Sequence, residues 1–223
     1  MRLPAQTAHY SRRVRHGQYV TARLLQAELK DLANDTQTTT DRVKAAGRKV
    51  EDADTPVLTA MANRDAADSD MDAATQAFRL KLSSRSLNAA KEAPYTQIFP
   101  KGVGFYIAAP VSSTEKRYQE LITRVEASLP ETDELRGALI TAVTAGLERY
   151  KTAISDLASA RTALAMARTE SDAQDDEWDT LMEKTFGVLI ERFGKKRANG
   201  FFPRTRHIDS DNEGDAPSPS QDT

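Results

Sequence analysis

Apolar and small residues recur along most of this chain in steps of three and four, and such steps fall on one side of only one regular structure. One row reads Leu25, Leu29, Leu32, Thr36, Thr39, Val43, Ala46, Val50. A second reads Val57, Met61, Arg64, Asp68, Met71, Thr75, Phe78, Leu82, and a third Ile140, Val143, Leu147, Tyr150, Ile154, Leu157, Arg161, Leu164, Arg168. On an α-helix each row draws a stripe, so the spacing predicts long helices packed along a shared seam. The expected fold is all-α: an elongated antiparallel helical bundle of four to five long helices with coiled-coil-like packing.

Start and stop signals divide the stripes. The first helix is predicted over about 17–51 and the second over about 54–92. Asp54 or Thr55 would cap the second, Pro56 would sit in its first turn where a missing N–H costs nothing, and Pro94 would close it. Three more helices are predicted over about 113–129, 131–168 and 171–193, the last ended by Gly194. Thr169 and Ser171 suit a cap or kink between the final two. The spacing continues through Ser171, Asp175 and Trp178, so one continuous helix is the alternative there. Segment 95–110, with prolines and glycines around a dense apolar load, reads as a structured loop with a short extended piece.

These signals group the chain into a basic N-terminal segment, 1–16, a bundle domain, 17–200, and an acidic tail, 203–223. The tail's last fifteen residues hold five acids and no large apolar group. Burial cannot offset the ordering entropy of such a segment, so it is expected to be disordered.

Composition removes several function classes. The chain has no cysteine, which excludes disulfides, thiolate nucleophiles, Cys-ligated zinc and iron–sulfur clusters. Its 31 basic and 33 acidic residues give a net charge of −2, so the molecule as a whole has no pull toward nucleic acid or anionic lipid. No apolar run approaches the roughly 18 residues of a membrane-spanning helix. The N-terminus lacks the apolar core of a secretory signal, and its arginines only loosely resemble a transit peptide, so the expected location is cytoplasmic. The histidines are His9, His16 and His207, so the Glu-x-x-His pairs of a di-iron bundle are missing. No metal, cofactor or small-molecule substrate is indicated, and no catalytic residue stands out.

Three sets of residues are left as candidates. The segment Arg192–His207 carries Arg192, Lys195, Lys196, Arg197, Arg204 and Arg206 with Phe193, Phe201 and Phe202 interleaved, a pattern suited to phosphates and bases. The bland alternative folds Phe201 and Phe202 onto the bundle end while the cations solubilise it. In segment 95–110, Ile98, Phe99, Val103, Phe105, Tyr106 and Ile107 would cap the open end of the bundle or, in a membrane-active protein, enter lipid. Arg64, Asp68 and Arg161 interrupt the stripes and are candidates for a buried polar cluster; alternatively their heads reach water along their stems. The acid-rich runs 51–72 and 170–183 are expected to be solvated faces. The resulting expectation is a noncatalytic scaffold or protein-interaction protein, self-associating or bound to a protein partner. Nucleic-acid binding by 192–207 and membrane activity by 95–110 are the alternatives.

Overall fold

The computed structural model describes residues 1–5 and 7–203. They form an all-α antiparallel helical bundle, as the stripes predict, with no strand among the described residues. The helices are α1 (Tyr10–Gln26), α2 (Lys30–Ser83), α3 (Tyr95–Ile98), α4 (Gly104–Ile107), α5 (Thr114–Ser128) and α6 (Glu134–Ala198). Short 3-10 turns occupy Ala89–Lys91 and Asn199–Phe201. Arg204, Arg206 and nearly all of the expected disordered tail lie outside the described residues.

Several predicted boundaries are corrected. The first break falls at residues 27–29, not at 54. There the Leu29 N–H donates to the Leu24 carbonyl at 3.0 Å and the Glu28 N–H to Leu25 at 3.0 Å, with Glu28 in the left-handed region at φ 61°. This is the hydrogen-bond pattern of a Schellman stop, which normally recruits glycine, so Glu28 gave no signal. The predicted start at Asp54 does not exist, because α2 runs on through Pro56. Pro56 is exposed, so the carbonyl it leaves without a donor can face water. Val43 and Ala46 before it and Val57 and Ala60 after it are all buried on one stripe. The helix ends at Ser83 rather than near 92, where the Ser83 and Ser84 hydroxyls bond back to the carbonyls of Leu80 and Lys81. The predicted break between 168 and 171 is absent as well. The Thr169 hydroxyl donates to the Ala165 carbonyl at 3.1 Å inside an unbroken α6. Gly194, at φ 75° and ψ 157°, does interrupt that helix.

Where the sequence reads one bundle domain, the packing divides into two compact units, one of Met1–Ala53 with the chain from Ala163 on, the other of Asp54–Thr162. In the first, α1, the front of α2 and the back of α6 enclose Val20, Leu24, Val43, Trp178, Met182 and Leu189. Thr40 meets Trp178 and Lys49 meets Glu170, an antiparallel pairing of α2 with α6. Helix α1 lies so close to α2 at Gly17 that any β-carbon there would strike Thr40. Residues 10–16 therefore belong to the bundle, with Arg13, Val14 and His16 buried, and the basic segment 1–16 is not a separate element.

In the second unit, α5 packs against the back of α2 and the front of α6 around Met71, Phe78, Leu82, Tyr118, Leu121, Val125, Val143 and Leu147. Asp70 meets Arg149 there, so α2 and α6 are antiparallel in this unit too. The stretch between α2 and α5 contributes Ile98, Phe99 and Tyr106 to this core as two one-turn helices; no extended piece forms.

Candidate interaction surfaces

The basic C-terminal segment splits into an apolar and a cationic side. Phe201 and Phe202 are buried in the first unit's core. Phe193 stacks on Phe201 with ring centres 5.8 Å apart, and Phe202 approaches Phe186 and His16 at 5.4 and 6.0 Å. Each ring of the stacked pair also carries a guanidinium, Arg197 over Phe193 at 4.8 Å and Arg23 over Phe201 at 5.9 Å. The chain's first residue comes to the same place, its amine donating to Asn199 Oδ1 at 2.7 Å, while Arg23 Nε donates to the Gly200 carbonyl. Arg192, Lys195, Lys196 and Arg197 are exposed. The aromatics interleaved with the cations thus hold the segment onto the first unit's core, and the cations are left exposed.

The apolar set in 95–110 is a cap. Ile98, Phe99 and Tyr106 are buried, and Val103, Phe105 and Ile107 are half-buried. Phe99 is the hub, with Phe78, Tyr95 and Tyr106 at centroid distances of 6.1, 5.3 and 5.9 Å. The Tyr106 hydroxyl donates to the Ile98 carbonyl at 3.0 Å, so its one polar atom is satisfied within the cap. Lys101 and Arg117 lie over the Phe105 ring at 4.6 and 4.4 Å, covering its outer part with cations rather than leaving it bare.

The polar interruptions do not form one buried cluster. Arg161 is exposed, and Arg64, only partly buried, turns to exposed Asp65 at 2.8 Å instead of to Asp68. Asp68 is half-buried; burial, then the neighbouring Asp72 and Asp65, push its carboxyl above the usual range. At Arg161 the buried-polar expectation fails, because the side chain is exposed.

Two polar constellations escaped the sequence reading. In the first unit, Arg13 is 1% exposed and reaches Asp175 at 3.1 Å and Asp179 at 3.1 Å, so the run 170–183 is not wholly a solvated face. One turn on, His16 is buried against Trp178 at 5.5 Å, and the Trp178 Nε1 donates to Thr40 Oγ1 at 3.0 Å. In the second unit, the buried Tyr118 hydroxyl donates to Asp72. Burial and that carboxylate push the Tyr118 hydroxyl far up, and burial raises Asp72 despite the bond. A signal for the first constellation was present: Arg13, Gly17, Val20 and Leu24 keep the 3-4 spacing, in phase with the core.

Past the N-terminus of α5, the groove between α2 and α6 of the second unit stays open. Leu58 is 60% and Ile154 37% exposed on these helices, and Met61 is half-buried. Leu58, Met61, Asp65 and Asp68 follow one another at 3-4-3 spacing along α2, as Ile154 and Arg161 do at seven along α6. On the same stretches of the two helices Val57, Ala60, Ala153 and Leu157 are buried. No helix among the described residues is long and apolar enough to cross a membrane. Comparison with protein-family models, with curated proteins and with solved structures finds no match for this chain.

Proposed function

We propose that this chain is a noncatalytic interaction scaffold that pairs with a second copy of itself through the open α2–α6 groove of its second unit. The observation that carries the reading is the exposure of Leu58 and Ile154 on helices whose buried residues nearby include the small Ala60 and Ala153. A third and fourth helix laid into the groove would bury those side chains at roughly 25 cal/mol per Å² of apolar surface. The charges suit a second copy in particular. Helices that pair Asp70 with Arg149 while running antiparallel set Ile154 about level with Asp65, and Arg161 about level with Leu58. A two-fold axis crossing the groove near Met61 then faces Asp65 and Asp68 of each copy toward Arg161 of the other. Such an interface is self-complementary, as a two-fold contact requires. The apolar side chains of the 95–110 cap are engaged inside their own unit, which gives the membrane reading no support.

Light scattering on the full chain tests this. The expected mass is twice the chain's 24.6 kDa at high micromolar concentration. Leu58→Asp or Arg161→Asp should return the monomer, and adding Asp68→Arg to Arg161→Asp should restore the pair. A wild-type chain that stays monomeric, or a charge swap that fails to rescue in a folded protein, sinks the reading.

A further inference from the structure

The strongest feature unused by that reading is a concentration of cations at one end of the first unit. Three segments distant in sequence supply it. Arg2 comes from the N-terminus, Arg15 and Arg23 from the outer side of α1, and Lys195, Lys196 and Arg197 from the turn after Gly194. Bonds already described fix the convergence: the Met1 amine to Asn199, Arg23 to Gly200 and Phe201, Arg197 to Phe193. Four other surface cations do find carboxylates across the helices, in Arg42–Glu177, Lys49–Glu170, Arg85–Asp133 and Arg149–Asp70. At this end Arg2, Arg15, Lys195 and Lys196 enter no ion pair among the described residues. Helix α1 contains no acid at all, and the nearest acids along the chain are Glu28 and Glu191. Like charges gathered without counter-charges repel, so their stable grouping on a folded frame is suited to a polyanion.

We infer that this end of the first unit is a docking surface for the sugar–phosphate backbone of a nucleic acid. Two observations favour nucleic acid over an anionic membrane. The phenylalanines beside the cations, Phe201 and Phe202, are buried and have nothing to insert into lipid. The exposed aromatic in the patch is instead Tyr19, 44% exposed and one turn from both Arg15 and Arg23 on α1. That order, cation, ring, cation at i, i+4, i+8, sets an aromatic face between two phosphate contacts, where an unpaired base can stack. The surface differs from a simple basic tail, because half of its charge comes from the first 23 residues, as Arg2, Arg15 and Arg23, and contacts to a phosphate backbone carry no sequence preference.

Fluorescence anisotropy with a labelled oligo(dT) of about 20 nucleotides reads the surface directly in the full-length chain. Affinity should fall at least tenfold between about 50 and 200 mM salt. Lys195→Glu with Lys196→Glu should weaken binding tenfold or more, with thermal melting unchanged because both side chains are exposed. Arg15→Glu, on a different segment, should do the same and serves if the first variant fails to fold. Tyr19→Ala should weaken the single strand several-fold and leave a duplex of equal length unaffected. No binding at low salt, binding indifferent to both charge reversals, or binding only to phosphatidylserine vesicles would each overturn the inference.

Discussion

Arg13 and His16 sit one turn apart on α1, and both are inside. Burying a guanidinium is tolerable only where carboxylates come with it, and Asp175 and Asp179 do so from α6. His16 has no such partner. Its ring lies against Trp178 and Phe202, its Nε2 is buried without a hydrogen bond among the described residues, and burial lowers its pKa to about 4. The native state therefore excludes a proton that the unfolded chain accepts at about 6.5. Above that pH both states hold a neutral ring and nothing changes. As pH falls from about 6.5 toward 4 the unfolded state gains the proton and stability declines, by at most about 3 kcal/mol. The charged groups around it are Arg13 on its own helix and Asp175 and Asp179 facing from α6. Asp175, whose carboxyl burial holds above its usual range, works the opposite way at the acid end of that window. Urea melts at pH 7.5, 6 and 5 should show the decline in wild type and a much flatter profile for His16→Phe. Equal slopes in the two proteins would assign the pH dependence elsewhere.

At the scale of the element, the stripes were legible and their punctuation was not. Val50 and Val57 are seven residues apart on one face, so the phase of the stripe already ran unbroken past Pro56. A local capping signal outweighed it in the sequence reading, although the cap had no change of face to support it. The same lesson applies at Thr169, where a hydroxyl that suits an N-cap bonds to Ala165 within the helix instead. The true break between α1 and α2 hid for the reverse reason. Glu28 occupies a conformation that favours glycine, held there by the Leu24 and Leu25 carbonyls. A left-handed non-glycine residue costs on the order of 1 kcal/mol. Glu28→Gly should accordingly raise the denaturation midpoint by an amount equivalent to about 0.5–1 kcal/mol, less whatever glycine adds to the freedom of the unfolded chain. A decrease would show that the Glu28 side chain makes a compensating contact in solution.

For the whole molecule, helix content and the seam could be read from spacing, while the surfaces could not. The basic end of the first unit draws on residues 2, 15, 23 and 195–197, and no window of sequence contains them together. The open groove of the second unit is legible only once α5 is known to stop beside Tyr150, where the Tyr150 hydroxyl donates to the Val111 carbonyl at 3.2 Å. Arg161 looked buried because it lies on a stripe, but a stripe becomes core only where another element covers it.

The division of the chain between the units has a consequence for synthesis. The second unit is one continuous stretch, Asp54–Thr162, so its core can close as soon as α6 has begun to emerge. The first joins the two ends of the chain: Arg13 waits for Asp179 and Thr40 for Trp178, across separations of 166 and 138 residues. Until the ribosome has passed residue 200, Val20, Leu24 and Val43 have no Trp178, Met182 or Leu189 to cover them. The half of this unit that is made first thus waits for the half made last, and during that interval it depends on whatever in the cell shields a half-built apolar face.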